Sequence, residues 1–259
     1  MVFLIFALVL TLMAAPLLRS TQAVNGRITT SGFDGPGVIV GFIVTVGVAA
    51  ITSPLMGFGF IFAVLLHEFG AAKACQFAGH DLARVRLVPL SFMAPPRSDE
   101  FFDDALEESF AALYAPALAI LPMVIAFGLF QASATSFPLF SDVMRAFGIM
   151  IGTFNFVMLL PFLPFAGGRV VQAISDNFWP NFSTFVTLFM IAAFTAAALR
   201  DHSISMGILA TAGAQSLLRR KRAQNKRLTS NAALVVLSAY AFCMCVHFTA
   251  GWWLSKELF

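Results

Sequence analysis

Residues 54–78 read PLMGFGFIFAVLLHEFGAAKACQFA, an apolar run interrupted by His67-Glu68 near its middle and by Lys73 further on. Roughly 20 apolar residues at the helical rise match the hydrocarbon thickness of a bilayer, so this run predicts a membrane-crossing helix. Ionisable side chains are costly at that depth. A His-Glu pair there reads either as a functional site or as a buried, hydrogen-bonded pair.

The rest of the chain is built the same way. Of 259 residues, 59% are hydrophobic and only 11% are charged, and the mean hydropathy is +0.86. A soluble domain carries about 25% charged residues, so a sizeable water-facing domain is excluded. Further spans are predicted at Met1–Leu18, Gly37–Thr52, Ser109–Gln131, Val143–Pro164, Phe182–Leu199, Ile204–Leu218 and Asn231–Leu254. Gly37–Thr52 and Ile204–Leu218 are short, which predicts tilting or local thinning. Met1–Leu18 lacks the positive n-region of a secretory signal and is followed by Arg19, so it reads as a helix with its N-terminus outside. The expected fold is an all-α polytopic membrane protein.

Lys and Arg set its orientation. With eight spans, the inner side receives Arg19, Arg27, Arg84, Arg86, Arg97, Arg169 and the Arg219–Arg227 cluster, while the outer side keeps Arg145, Arg200 and Lys256. The connections are short. Arg84-Val85-Arg86-Leu87-Val88 alternates polar and apolar residues, predicting a half-exposed strand over Arg84–Leu90 that Pro89, Pro95 and Pro96 then break. Its edge reads equally as a template for an extended peptide and as part of a plain hairpin. The acidic stretch Asp99–Glu108 predicts a short surface helix leading into the span at Ser109. Cys75, Cys243 and Cys245 form no C-x-x-C pair and read as packing residues.

The His-Glu pair is half of H-E-x-x-H, in which two histidines one turn apart bind zinc and the glutamate is the general base. Here position 71 is alanine. Downstream, a span ends in Leu160-Pro161-Phe162-Leu163-Pro164-Phe165-Ala166-Gly167-Gly168-Arg169. Between them lies Ala112-Leu113-Tyr114-Ala115-Pro116-Ala117. In order and membrane context these segments resemble the site-2 protease family of intramembrane zinc metalloproteases. That family carries H-E-x-x-H, an A-G-P segment and N-x-x-P-x-x-P-L-D-G-G-R. Pro161, Pro164, Gly167, Gly168 and Arg169 match, and Arg84–Leu90 lies where the family has a membrane-edge β-element.

The resemblance covers roughly 54–171 and implies a helical catalytic core there, with a small β-element at the cytoplasmic membrane edge. Residues 1–53 are read as N-terminal transmembrane helices. Residues 172–259 are read as C-terminal transmembrane helices with a basic cytoplasmic loop. The resemblance further implies Glu68 as general base, His67 as a zinc ligand, and a transmembrane helix as the substrate to be cleaved. The other two ligand positions fall on Ala71 and Ala166, and the substrate-holding asparagine falls on Met158, with Asn155 one turn earlier. Gly167, Arg86 and Val88 complete the implied substrate-binding set.

Catalytic zinc takes three protein ligands and a water whose pKa it lowers to about 7. One imidazole does not hold it. Cys75 lies about 12 Å further along the helix at the standard rise, and His80 further still; His202, His247 and Asp176 have no position fixed by sequence. The expectation is thus zinc in an active parent and none in this chain, an inactive form of an intramembrane protease. Loss confined to two ligand positions fits a metal-free version of an active enzyme. The alternative is a natural pseudoprotease, an adaptor or scaffold that binds helices without cleaving them. A transporter would need a repeated pair of broken helices, which the sequence lacks. The expected partners are a transmembrane helix and membrane lipid, not nucleic acid, in a bacterial inner membrane.

Orientation is testable directly. Single cysteines at positions 97 and 224, in a chain whose native cysteines are replaced, should resist an impermeant thiol reagent in intact cells and react after permeabilisation. Labelling from outside at either position would reverse the orientation.

Overall fold

The structure is a computed structural model that describes residues 27–31, 35–87, 97–176, 178–218 and 227–258. Among them are two strands, β1 (Arg27–Ser31) and β2 (Leu82–Arg86), and eight helices. These are α1 (Gly35–Ile51), α2 (Pro54–Phe77), α3 (Ala105–Ser133), α4 (Pro138–Met158), α5 (Ala166–Ser175), α6 (Phe182–Asp201), α7 (Ile204–Leu218) and α8 (Ser230–Leu258). The stretches Pro54–Phe77, Ala105–Ser133, Phe182–Asp201 and Ser230–Trp252 are long and apolar enough to cross a bilayer. The protein is a polytopic membrane protein. At 15 residues, α7 extends only about 22 Å against a hydrocarbon core of about 30 Å. Met1–Leu18 and most of the Arg219–Arg227 cluster lie outside the described residues.

The chain forms two compact units interleaved along the sequence. One comprises Met1–Phe101, Tyr114–Phe156 and Cys243–Phe259; the other comprises Phe102–Leu113 and Val157–Phe242.

In the first unit α2 is sharply delimited. Ser53 accepts a hydrogen bond from the Met56 amide at 3.3 Å, and Pro54 opens the helix. At its far end Gly79 has φ +87°, and the amides of Gly79 and His80 bond back to the carbonyls of Gln76 and Cys75. These two bonds close the last turn with a left-handed glycine, which turns the chain back on itself. Small residues then let helices approach closely. A Cβ on Gly70 would lie 3.0 Å from the Ala115 Cα, and one on Gly59 would lie 3.0 Å from the Ala146 carbonyl oxygen.

The predicted strand is present but begins two residues earlier, at Leu82. It pairs in parallel with β1, from Arg27 opposite Leu82 to Ser31 opposite Arg86. One edge is therefore occupied by a strand the sequence pattern did not reveal. On the other edge the Arg84 amide donates to the Arg97 carbonyl at 2.8 Å.

The surface helix expected over Asp99–Glu108 is not formed as a separate element. Asp104 instead caps α3, its carboxylate accepting from the Leu106 and Glu107 amides at 2.8 Å each. Glu107 reaches back to the Asp103 amide, and the spanning helix starts four residues before Ser109.

In the second unit the chain leaves α4 through the turn at Leu159–Phe165 and enters α5 directly. Phe162, fully buried, packs on Phe165 and Phe194. Non-helical backbone in a bilayer must be satisfied by other protein groups. The Tyr240 hydroxyl donates to the Leu159 carbonyl at 2.8 Å, and the Leu163 amide donates to Thr187 at 3.4 Å. A Cβ on Gly167 would lie 2.0 Å from the Leu159 carbonyl oxygen, and one on Gly168 would lie 2.2 Å from the Phe162 carbonyl carbon. Both clashes are with backbone, so no side chain can rotate to relieve them. Gly168→Ala should cost about 2–4 kcal/mol of stability, read as a large drop in thermal midpoint in detergent, whereas Gly207→Ala, with open space around it, should cost little.

Candidate functional site

Turned back by the Gly79 turn, β2 runs alongside α2. From Phe77 back to Glu68 is about 13 Å of helix, and the length of β2 is about 13 Å of strand, so Arg86 arrives level with Glu68. Arg84 and Arg86 share a strand face. Arg84 remains near the surface, while Arg86 is buried with 5% of its side chain exposed. The alternation predicted from sequence fails at Arg86 because its partner is an intramembrane carboxylate.

That carboxylate is saturated. Arg86 donates Nε to Glu68 Oε2 at 3.0 Å and an Nη to Oε1 at 3.2 Å. Arg97 donates Nε to Oε2 at 3.3 Å and an Nη to Oε1 at 2.6 Å. Each guanidinium is bidentate, and each carboxylate oxygen accepts two N–H groups, the full capacity of an ionised carboxylate. Burial and the Arg97 charge beside it pull Arg86 below the ordinary arginine range, and Glu68 offsets part of that. At Arg97 burial pulls the same way, but the Glu68 carboxylate outweighs it and holds Arg97 above that range.

Arg97 is itself held in place. Besides the Arg84 amide on its carbonyl, Arg84 and Asp99 form a bidentate pair, and Glu100 accepts from the Asp81 amide at 3.0 Å. The hydrogen bonds from Arg84 keep the exposed Asp99 carboxyl below the usual aspartate range.

His67 is buried and committed through one nitrogen. Its Nδ1 bonds to Asn155 Oδ1 at 2.8 Å, while Asn155 Nδ2 donates to the Ile151 carbonyl at 2.8 Å. The amide oxygen therefore faces the ring, the imidazole proton sits on Nδ1, and Nε2 is the basic nitrogen. Phe154 packs edge-on against the ring at 5.4 Å.

The structure thus brings His67, Glu68, Asn155 and Arg86 together, and adds Arg97. Ala71, buried one turn beyond His67, contributes a methyl group. Met158, Ala166 and Gly167 belong to the second unit, at the end of α4 and the start of α5. Val88 lies outside the described residues. Of the remaining histidines and cysteines, His247 gives Nε2 to the Pro116 carbonyl at 2.8 Å, His202 terminates α6, and Cys75 stays within α2.

The donors present do not fit a catalytic zinc. No group of three or more His, Cys, Asp or Glu side chains able to hold a metal occurs among the described residues. In the first unit one imidazole nitrogen stands beside a carboxylate already bracketed by two cations. Sequence reasoning missed Arg97, which had served only to set orientation. The signal was available: a glutamate inside a span demands a cationic partner, and Arg86 and Arg97 flank the one connection that follows that span.

No protein-family model and no curated protein matches the chain. Among solved structures it is similar to the site-2 protease from Methanocaldococcus jannaschii, with a TM-score of 0.51 and 15% identity over 78% of this chain and 94% of that one. At this identity the likeness is one of fold.

Asn155→Ala would leave the buried His67 Nδ1–H without an acceptor, at a cost of about 1–3 kcal/mol. The thermal midpoint should fall, and the imidazole ¹⁵N signals should lose their single-tautomer pattern.

Proposed function

We propose that this chain is a catalytically silent counterpart of the site-2 proteases, one that receives a transmembrane helix in the bilayer and does not cleave it. The observation that carries the reading is the state of Glu68. A general base must have an oxygen lone pair available to the attacking water, whereas Glu68 gives all of its acceptor capacity to Arg86 and Arg97. The fold likeness supports descent from an intramembrane protease, with zinc belonging to the active relatives.

The other reading is an active protease from which two ligands were removed. It requires Glu68 to work as a base once Ala71 and Ala166 are reverted, and the double guanidinium bracket disfavours that. Met158, at the position where the resemblance puts the substrate-holding asparagine, ends α4 just before the Leu159–Phe165 turn, and that placement is the reason to look there for a docked helix. In this reading the chain lies in a bacterial inner membrane, with its basic connections on the inner side.

A photo-crosslinking residue at Met158, in chain reconstituted with a synthetic single-span peptide carrying a Gly-Pro interruption, tests it. Crosslinked, intact peptide is the expected product. Peptide fragments that disappear with Glu68→Gln would establish proteolysis instead, and failure to capture the peptide would remove the binding role.

A further inference from the structure

We infer that Arg86 and Arg97 supply, at Glu68, the positive charge that a metal ion supplies beside the glutamate of a zinc protease, and that they have converted the His-Glu helix into a structural joint that excludes divalent cations. The inference rests on the non-cleaving reading above and deepens it, since it says what replaced the metal.

Charge is the first argument. Two guanidiniums carry the same total charge as one zinc ion, and both are bidentate on a fully buried carboxylate. A carboxylate within a span does not persist ionised without such compensation.

Attachment is the second. Arg86 comes from β2 and Arg97 from the segment stapled to that strand through Arg84, Asp99, Glu100 and Asp81. Glu68 is therefore the point at which the sheet and the segment following it are both fastened to α2.

Repulsion is the third. Glu68 directly follows His67 on α2 and holds both guanidiniums against itself, so a dication approaching the pair would meet two cations in a low-dielectric setting, where Coulomb forces are strongest. The methyl of Ala71 removes one ligand, and the arginines oppose the metal itself. Restoring ligands alone would then leave the metal unbound.

Titration of the full-length chain in detergent with zinc chloride tests this. Ala71→His, which puts a second imidazole one turn from His67, should show no saturable zinc binding. Adding Arg86→Gln and Arg97→Gln should make zinc binding saturable in the same titration range.

Stability gives a second readout. Glu68→Gln strands the buried Arg86 and the partly buried Arg97 and should lower the thermal midpoint by roughly 10 °C. Replacing all three groups together (Glu68→Leu, Arg86→Met, Arg97→Met) should recover most of that loss, because apolar isosteres of a buried ion cluster are tolerated. Arg97→Lys keeps the charge and loses the fork. It should still exclude zinc in the Ala71→His background while losing part of the midpoint, which separates charge from folding.

Zinc binding by Ala71→His that is indifferent to the two arginines would overturn the inference, as would an unchanged midpoint for Glu68→Gln. Neither result depends on whether the Met158 crosslink captures a helix, so the two readings fail separately.

Discussion

An ionised carboxylate on a helix that crosses a bilayer has to find its counter-charge inside the protein, and in this chain the requirement is met from a strand and the segment after it. Glu68 sits on α2 with no exposure. The hydrocarbon offers nothing to solvate it. Meeting the need takes a sharp helix stop, a strand returning along the helix, and a second arginine brought to the same place. The parallel partner β1 and the Arg84–Asp99 pair are best understood as fixing that strand and that segment in position. The same physics governs His67, whose ring is oriented by an asparagine that is itself anchored to the backbone.

The second unit answers a related demand with neutral groups. Where α4 gives way to the Leu159–Phe165 turn, two carbonyl or amide groups that helix geometry would have satisfied are met by a tyrosine hydroxyl from α8 and a threonine hydroxyl from α6. The two glycines that follow let the first turn of α5 lie against the backbone it has just left. C-terminal helices that look anonymous in sequence thus hold a broken segment together.

Hydrophobic run length made the helices legible. Pro54–Phe77 and Ile204–Leu218 fall where the composition puts them, because helix existence in a membrane is decided locally. The motif residues were legible too, since His67, Glu68 and the Gly167-Gly168 pair stand out against apolar neighbours. Two things were not. The strand β1 gives no local sign of itself, because its partner lies beyond the whole of α1 and α2 and parallel pairing is non-local. Arg97 was hidden for a similar reason: separated from Arg86 by a proline-rich stretch, it looked like one more cytoplasmic charge. Asp104 was misjudged because acidic residues before a span suit both a surface helix and a cap, and only the amide bonds to Leu106 and Glu107 decide between them.

The left-handed turn at Gly79 has an implication for how sequences of this kind can vary. Between it and Arg86 the chain is a measured spacer. One residue added or lost would slide the strand by a single position and send every side chain to the opposite face, pointing Arg86 away from Glu68 and Val85 toward it. A two-residue change would keep the face but carry the guanidinium about 7 Å along the helix. Length in this short connection is therefore as tightly constrained as residue identity. Drift among relatives that keep the joint should appear as substitution here, with insertions and deletions confined to other loops.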